Sequence, residues 1–219
     1  MKARRENKTA AGFSIIELLF AMTIMLVVMG LAVNLFSKSL STRQRESSRT
    51  DALTAAQAAL NVISREIANS GYGLLDNGIV FPDSGDKKLH FFSNIKNTNM
   101  VTTDPGENIT YFFDPNTQSI LRYDANGIVN ADGTTSPQTS IIINRISNVE
   151  FQYFDYLNST VIPAPLQPAP TFTPTVNTAR IRVKITVSLE NVQGQTDNQS
   201  VVLVSDVTLR NSDYMLQQY

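Results

Sequence analysis

Cysteine is absent from these 219 residues. That excludes disulfides and thiolate metal sites, so the fold must be held by its own core. Histidine occurs once, as His90, inside the run Leu89-His90-Phe91-Phe92. A lone histidine on a strand-like run reads as structural, and no Ser-His-Asp logic can be argued around it. The carboxylates are scattered, and no cluster has metal-ligand spacing. An excess of one charge is also missing: 18 basic against 19 acidic side chains give a formal net charge of −1. No basic patch or stripe suggests a nucleic-acid surface. Charge vanishes altogether from one stretch. After Glu17 none appears until Lys38, leaving 20 positions, Leu18 to Ser37, built mostly from Leu, Ile, Met, Val, Ala and Phe.

That run is long enough to cross a bilayer core, which needs roughly 20 apolar residues. A carboxylate, Glu17, stands just inside its start, directly behind Gly12-Phe13-Ser14-Ile15-Ile16. A bare charge in hydrocarbon costs on the order of 2.5–3.5 kcal/mol, so Glu17 calls for a partner. The amino end is basic: Lys2, Arg4, Arg5 and Lys8, opposed only by Glu6. These charges favour a cytoplasmic amino terminus with the rest outside. The run exceeds the ~7–15 residues of a secretory signal core, and no small-x-small cleavage site follows it cleanly.

Gly12-Phe13-Ser14-Ile15-Ile16-Glu17-Leu18-Leu19 with the apolar run resembles the class III signal of type IV prepilins and type II secretion pseudopilins. The resemblance implies a leader, residues 1–12, removed by a dedicated membrane aspartyl peptidase. It places the cut between Gly12 and Phe13, with methylation of the new amino group of Phe13. Glu17 is then the assembly contact that accepts the methylated amine of an adjacent subunit. The physical reason is that ammonium and carboxylate in low dielectric must pair or lose several kcal/mol each. Loss of residues 1–12 removes four basic side chains and one acidic one, which takes the formal charge from −1 to −4.

The helical pattern continues past the apolar run. Residues 38–51 are polar, and then Leu53, Ala56, Leu60, Ile63 and Ile67 recur at spacings of three and four, one stripe on a helix. Arg65, Glu66 and Asn69 fall off that stripe, and Gly71 is the expected stop. The helix is therefore expected from Phe13 to Ser70, apolar nearly all round in its first half and amphipathic in its second. Gly30 and Asn34 are its weak points. Many pilins carry proline at the place of Asn34, and this chain does not; a polar residue near the outer membrane interface is the preferred reading of Asn34 over a hinge. Beyond Gly71, strands are expected near 88–93, 109–113, 118–123, 140–144, 148–156, 179–190 and 199–210, from their β-branched and aromatic content. Residues 180–189 alternate, with Ile181, Val183, Ile185, Val187 and Leu189 facing the helix stripe and the basic residues facing water. Asp114-Pro115-Asn116 and Asp124-Ala125-Asn126-Gly127 read as turns, the second as a hairpin turn rather than a calcium loop, since the other ligand positions are missing. The proline-dense stretch 163–174 is expected as an extended exposed loop, because proline at that density cannot enter a sheet interior.

The expected fold is thus α+β, a pilin-like ladle. One long N-terminal helix, with a transmembrane half at 13–37 and an amphipathic half at 38–71, packs on an antiparallel β-sheet head at 72–219. Two further stretches resemble minor pilins of the PilW type: Ser64-Arg65-Glu66-Ile67-Ala68-Asn69-Ser70-Gly71-Tyr72-Gly73-Leu74 at the helix end, and Asp206-Val207-Thr208-Leu209-Arg210-Asn211 in the last strand, a pattern shared with J-type subunits. The resemblance implies assembly rather than catalysis; no cofactor or metal is expected from the residues, although some pseudopilins bind calcium in a loop. Its implied partners are the inner membrane, prepilin peptidase, the other minor pilins and the major pilin. The implied location is the bacterial inner membrane and then the pilus, at its tip. A J-type pseudopilin of type II secretion, a competence pilin, and a membrane-anchored exported binding protein stay open as alternatives.

Overall fold

The computed structural model describes residues 12–96, 101–157, 165–189 and 200–212. The leader apart from Gly12, residues 163 and 164 of the proline-dense stretch, and the expected strand ends Glu190 and Gln199 lie outside them. The chain divides into two compact units, Met1–Ser47 and Ser48–Tyr219.

One helix, α1, runs from Ile15 to Ala68. It starts and ends two residues inside the expected bounds. In the first unit its side chains from Ile15 to Gln44 are exposed, and this part is long and apolar enough to cross a membrane. The polar side chains in the run satisfy themselves on the helix. Thr23 Oγ1 donates to the Phe20 carbonyl at 2.8 Å, and Asn34 Nδ2 donates to the Gly30 carbonyl at 3.1 Å. Such back-bonding removes an unpaired polar group from apolar surroundings. The helix passes Asn34 without a break.

In the second unit the expected stripe is the buried face: Ala56, Ala59, Leu60, Ile63 and Ile67 are buried, and Leu53 is half-buried. All seven expected strands form. Strands β1 (Lys88–Phe92), β2 (Asn108–Asp114), β3 (Ser119–Val129) and β4 (Thr135–Ile143) make one antiparallel sheet in the order β1-β2-β3-β4. Strands β5 (Ile146–Asp155), β6 (Thr178–Ser188) and β7 (Ser200–Thr208) make a second, in the order β5-β6-β7. The head is therefore two antiparallel sheets. The inner faces of both close on the helix stripe: Leu89, Phe91, Ile109, Tyr111 and Ile120 from the first, and Val149, Phe151, Ile181, Val183, Ile185 and Val207 from the second. Each fully buried aliphatic side chain contributes about 1.5–3 kcal/mol, which is how a head without disulfides is held together. The alternation along β6 is as expected, with Ile181, Val183 and Ile185 at 0 % exposure, although Leu189 is only half-buried. Its basic residues are on the outer face but do not simply face water. Arg182 makes a bidentate pair with Asp206 at 2.6 and 2.8 Å, Lys184 bonds Glu150 at 3.1 Å, and Arg180 stacks over Phe154.

One expected turn is not a turn. Asp124–Gly127 lies inside β3, as an irregularity of register between Asp124 and Ile128. The cause is the Asp124 carboxylate, which is buried and accepts from the Gly106 and Asn126 N–H groups at 2.8 and 3.1 Å. That caps the chain locally and lets the strand resume. The β3–β4 hairpin closes later, at Asn130–Thr134, where Gly133 takes φ +81°. Asp114–Asn116 does form the β2–β3 turn, with the Asp114 carboxylate accepting from Asn116 N and Thr117 Oγ1.

Residues 165–171 of the proline-dense stretch lie along the outer edge of β5, through isolated bridges Tyr153–Thr171 and Tyr156–Leu166, with a bend at 168–169. Leu166, Gln167, Pro170 and Thr171 are half-buried and Pro174 is buried, so the stretch is less exposed than expected because it packs on that edge. Proline tolerates this edge position because an edge residue can leave its missing N–H unpaired.

Candidate functional site: the amino-terminal motif and the helix end

Gly12, Phe13 and Ser14 precede the helix and are not helical. The Ser14 carbonyl accepts the first helical bonds, from Glu17 N at 3.0 Å and Leu18 N at 3.1 Å. A Cβ at Gly12 would meet nothing within 4 Å, and Phe13 is 80 % exposed. The Gly12–Phe13 peptide thus lies in open, non-helical chain. A peptidase needs that, because it must take its substrate extended. Glu17 falls in the first turn of α1, where a carboxylate is favoured by the positive end of the helix dipole. It is exposed and has no side-chain partner among the described residues.

At its other end α1 is tied to the sheets by a cluster of polar bonds. Glu66 stands beside the apolar stripe and receives two bonds on one oxygen: Tyr111 Oη donates at 2.6 Å and Arg122 Nε donates at 2.9 Å. Arg122 Nη1 reaches Asp124 at 3.4 Å. Burial and the adjacent Glu66 push the Tyr111 phenol above its ordinary pKa. Burial works against the Arg122 charge, but the Glu66 hydrogen bond and charge outweigh it and raise the guanidinium pKa. A single side chain one step off the stripe thereby fixes the helix against β2 and β3. Sequence periodicity misses it because it counts apolar positions only; a phenol and an arginine facing each other across Tyr111↔Arg122 were the available signal.

The turn after the helix is equally constrained. Gly71 takes φ +76° and its N–H bonds the Phe92 carbonyl at 2.8 Å. A Cβ there would strike the backbone of Asp76 and Asn77, and one at Gly78 would strike the backbone of Gly71 and Phe92. Ser70 Oγ donates to the Asn77 carbonyl at 2.6 Å, while the Asn77 amide donates to the carbonyls of Thr175, Val176 and Thr178. The last strand arrives at the same place. Arg210 N bonds the Ala68 carbonyl at 3.2 Å, Arg210 Nη1 bonds Asn69 Oδ1 at 3.2 Å, and Asn211 Nδ2 bonds the carbonyls of Leu74 and Asp76. So the two stretches singled out in the sequence, Ser64–Leu74 and Asp206–Asn211, form one junction, with Asn69 and Arg210 bonded across 141 residues.

His90 is held between Asp83 Oδ2 at 2.8 Å on Nδ1 and Asn108 Oδ1 at 2.9 Å on Nε2. It lines an open pocket of about 550 Å³ on the outer face of the first sheet, with Asp83, Lys88, Thr110, Phe112 and Tyr123. Lys88 donates to Asp83, and this bond holds the Asp83 carboxyl below its usual range. The nearby Ser84 hydroxyl bonds the His90 backbone at 3.1 Å rather than its ring, so it forms no nucleophile–base pair with the imidazole.

Residues 7–33 match the prokaryotic N-terminal methylation motif. No curated protein matches the chain significantly. The motif implies processing by a prepilin peptidase and assembly with other pilins in a membrane-associated system. It points to a structural rather than an enzymatic protein. That motif opens a long helix whose apolar run fits a membrane anchor, two antiparallel sheets follow it in the chain, and together these features support a protein of the type IV pilin and pseudopilin kind.

Proposed function

We propose that the chain is a minor pilin of the PilW type that primes or caps a type IV pilus. In this reading the leader, residues 1–12, is cut between Gly12 and Phe13, and Phe13 is methylated. Residues 13–37 then hold the subunit in the inner membrane, amino terminus on the cytoplasmic side and the head, residues 72–219, outside. On assembly the apolar helix leaves lipid for a bundle of like helices, and Glu17 accepts the methylated amine of a neighbouring subunit. In low dielectric each unpaired charge costs several kcal/mol, and the pairing offsets that cost. The subunit stays near the filament tip with the other minor pilins, above the major pilin.

The observation that carries the reading is the methylation motif at 7–33, with a single carboxylate ahead of 20 uncharged residues. The junction of Ser64–Leu74 with Asp206–Asn211 supports the PilW-type assignment, because both stretches that resemble such subunits serve one structural purpose. The second stretch is shared with J-type subunits, so a J-type pseudopilin of a type II secretion system is the second reading. Neighbouring genes for a retraction motor, as against secretion components, separate the two. Intact-mass measurement of the purified native protein tests the processing. The expected mass lacks residues 1–12 and carries one added methyl group; an uncut amino terminus overturns the reading.

A further inference from the structure

The two sheets have four outer edges, and the chain treats them differently. The outer edge of β1 is covered by residues 78–80, through Phe92 N to the Gly78 carbonyl and Val80 N to the His90 carbonyl. That of β5 is covered by Asp86 and by residues 165–171. Strand β4 is blunted by Pro137 among Thr135, Ser136, Gln138, Thr139 and Ser140. Natural sheets manage their edges in these ways, because a row of unpaired N–H and C=O groups invites another strand. Among the described residues, strand β7 has none of these devices. Its sequence is Ser-Val-Val-Leu-Val-Ser-Asp-Val-Thr, without proline, glycine or lysine.

The register says which groups are open. Leu209 N bonds the Ala179 carbonyl, so the odd-numbered residues of β7 point their backbone at β6. In an antiparallel ladder the alternate residues point the other way. Ser200, Val202, Val204, Asp206 and Thr208 therefore aim their N–H and C=O groups outward, and among the described residues none of these groups has a backbone partner. The side chains flanking that edge are apolar. Val202 and Val204 are 54 % and 52 % exposed on the outer face, and Val201 and Leu203 on the inner face are only half-buried, whereas their β6 partners Val187 and Ile185 are buried. The one charge, Asp206, is already neutralised by Arg182.

We propose that β7 is a docking edge that receives an extended segment from another pilin-like subunit of the assembly. The segment adds as a fourth strand to the second sheet. Its backbone pairs with residues 200–208, and its side chains alternate between β-branched or other apolar residues beside Val202 and Val204 and apolar residues beside Val201 and Leu203. An uncharged segment fits, since Asp206 has no charge left to offer. The choice of a fellow subunit rests on the pilin-family reading above, in which the head works among other subunits.

The geometry supplies a selective probe. Proline at 204 removes an outward N–H and no bond of the native ladder. The test places a photo-crosslinking amino acid at position 202 in the full chain in its native cells, with and without Val204→Pro, and identifies the linked peptide by mass spectrometry. The expected result is an adduct with an extended segment of a second protein that carries its own amino-terminal methylation motif. Val204→Pro should lower that adduct at least tenfold, equivalent to about 1.4 kcal/mol, while the tyrosine circular dichroism of the folded head is unchanged. No adduct, an adduct with a second copy of this chain, or an adduct insensitive to Val204→Pro overturns the proposal. The intact mass of the same sample reports processing separately. A chain that has lost residues 1–12 but gives no adduct overturns the docking edge and leaves the pilin reading standing.

Discussion

Glu66→Ala is expected to destabilise the head by about 3 kcal/mol. The side chain carries two bonds on one carboxylate oxygen, from Tyr111 at 2.6 Å and Arg122 at 2.9 Å. A hydrogen bond to a charged group is worth about 1.5–3 kcal/mol net, and a donor left buried without a partner costs a further ~1–3. Breaking a fully buried ion pair costs about 3–5 kcal/mol. Arg122 escapes the upper figure, because its side chain is 17 % exposed and Asp124 is still 3.4 Å away. Tyr111 does not escape, since it is wholly buried. At roughly 2–4 °C per kcal/mol for a domain of this size, the midpoint should fall by about 6–12 °C. Urea unfolding of the detergent-solubilised protein, followed by tyrosine circular dichroism, measures this directly; the chain has no tryptophan to interfere. Glu66→Gln keeps an acceptor and loses the charge, so it should cost about half as much. In a double-mutant cycle with Tyr111→Phe the two losses should couple by about 1–2 kcal/mol. A Glu66→Ala loss below about 0.5 kcal/mol, or strict additivity in the cycle, would refute the account of this carboxylate as the tie between helix and sheets.

Tyrosine ionisation gives a second expectation. Burial, with Glu66 beside Tyr111 and Asp86 nearer Tyr153, raises both phenols above their ordinary pKa. A folded pKa above the unfolded value means stability that is whole below about pH 10 and is lost as pH rises beyond it, at up to about 1.4 kcal/mol per pH unit for each group. Phenolate absorbance should therefore show two of the seven tyrosines ionising only as the head unfolds, and Tyr111→Phe should flatten the alkaline loss; seven tyrosines titrating together near pH 10 in a folded protein would refute it. At the other end of the helix, Glu17→Gln keeps the side-chain size and removes the charge. On the proposed function it should lower the share of protein recovered in sheared filaments at least tenfold relative to the membrane pool, or about 1.4 kcal/mol, and an unchanged share would sink the pairing with a neighbour's amine.

Much of the architecture is legible in the chain, for physical reasons that differ by element. The stripe Leu53–Ile67 and the alternation Ile181–Val187 are local periodicities, and burial follows them because each has one apolar face to hide. Gly71 is readable as a stop because only a residue without Cβ takes φ +76° against the backbone of Asp76 and Asn77. Asp124–Gly127 misleads because turn residues also serve bulges, and what decides is a distant N–H, that of Gly106, which no local pattern reveals. The same is true of Glu66, whose partners are 45 and 56 residues away. The split of the head into two sheets is not legible either, since seven antiparallel strands satisfy the same alternation in one sheet or two.

Glu17 and Glu66 make the sharper comparison. In sequence both are single acids on one helix, displaced from its apolar pattern. The structure separates them. Glu66 faces a phenol and a guanidinium and spends its charge within the chain. Glu17 is exposed in the first turn, beside 20 uncharged positions, with no side-chain partner among the described residues. A carboxylate retained beside an apolar run, at a cost on insertion of about 2.5–3.5 kcal/mol, needs a cation, and this stretch of the chain offers none. On the proposed function, the partner of Glu17 comes from another molecule or from the chain's own processed amino terminus. The filament assay on Glu17→Gln bears on the first of these, because an internal pair formed before assembly would leave the intersubunit contact, and so the yield in filaments, nearly unchanged.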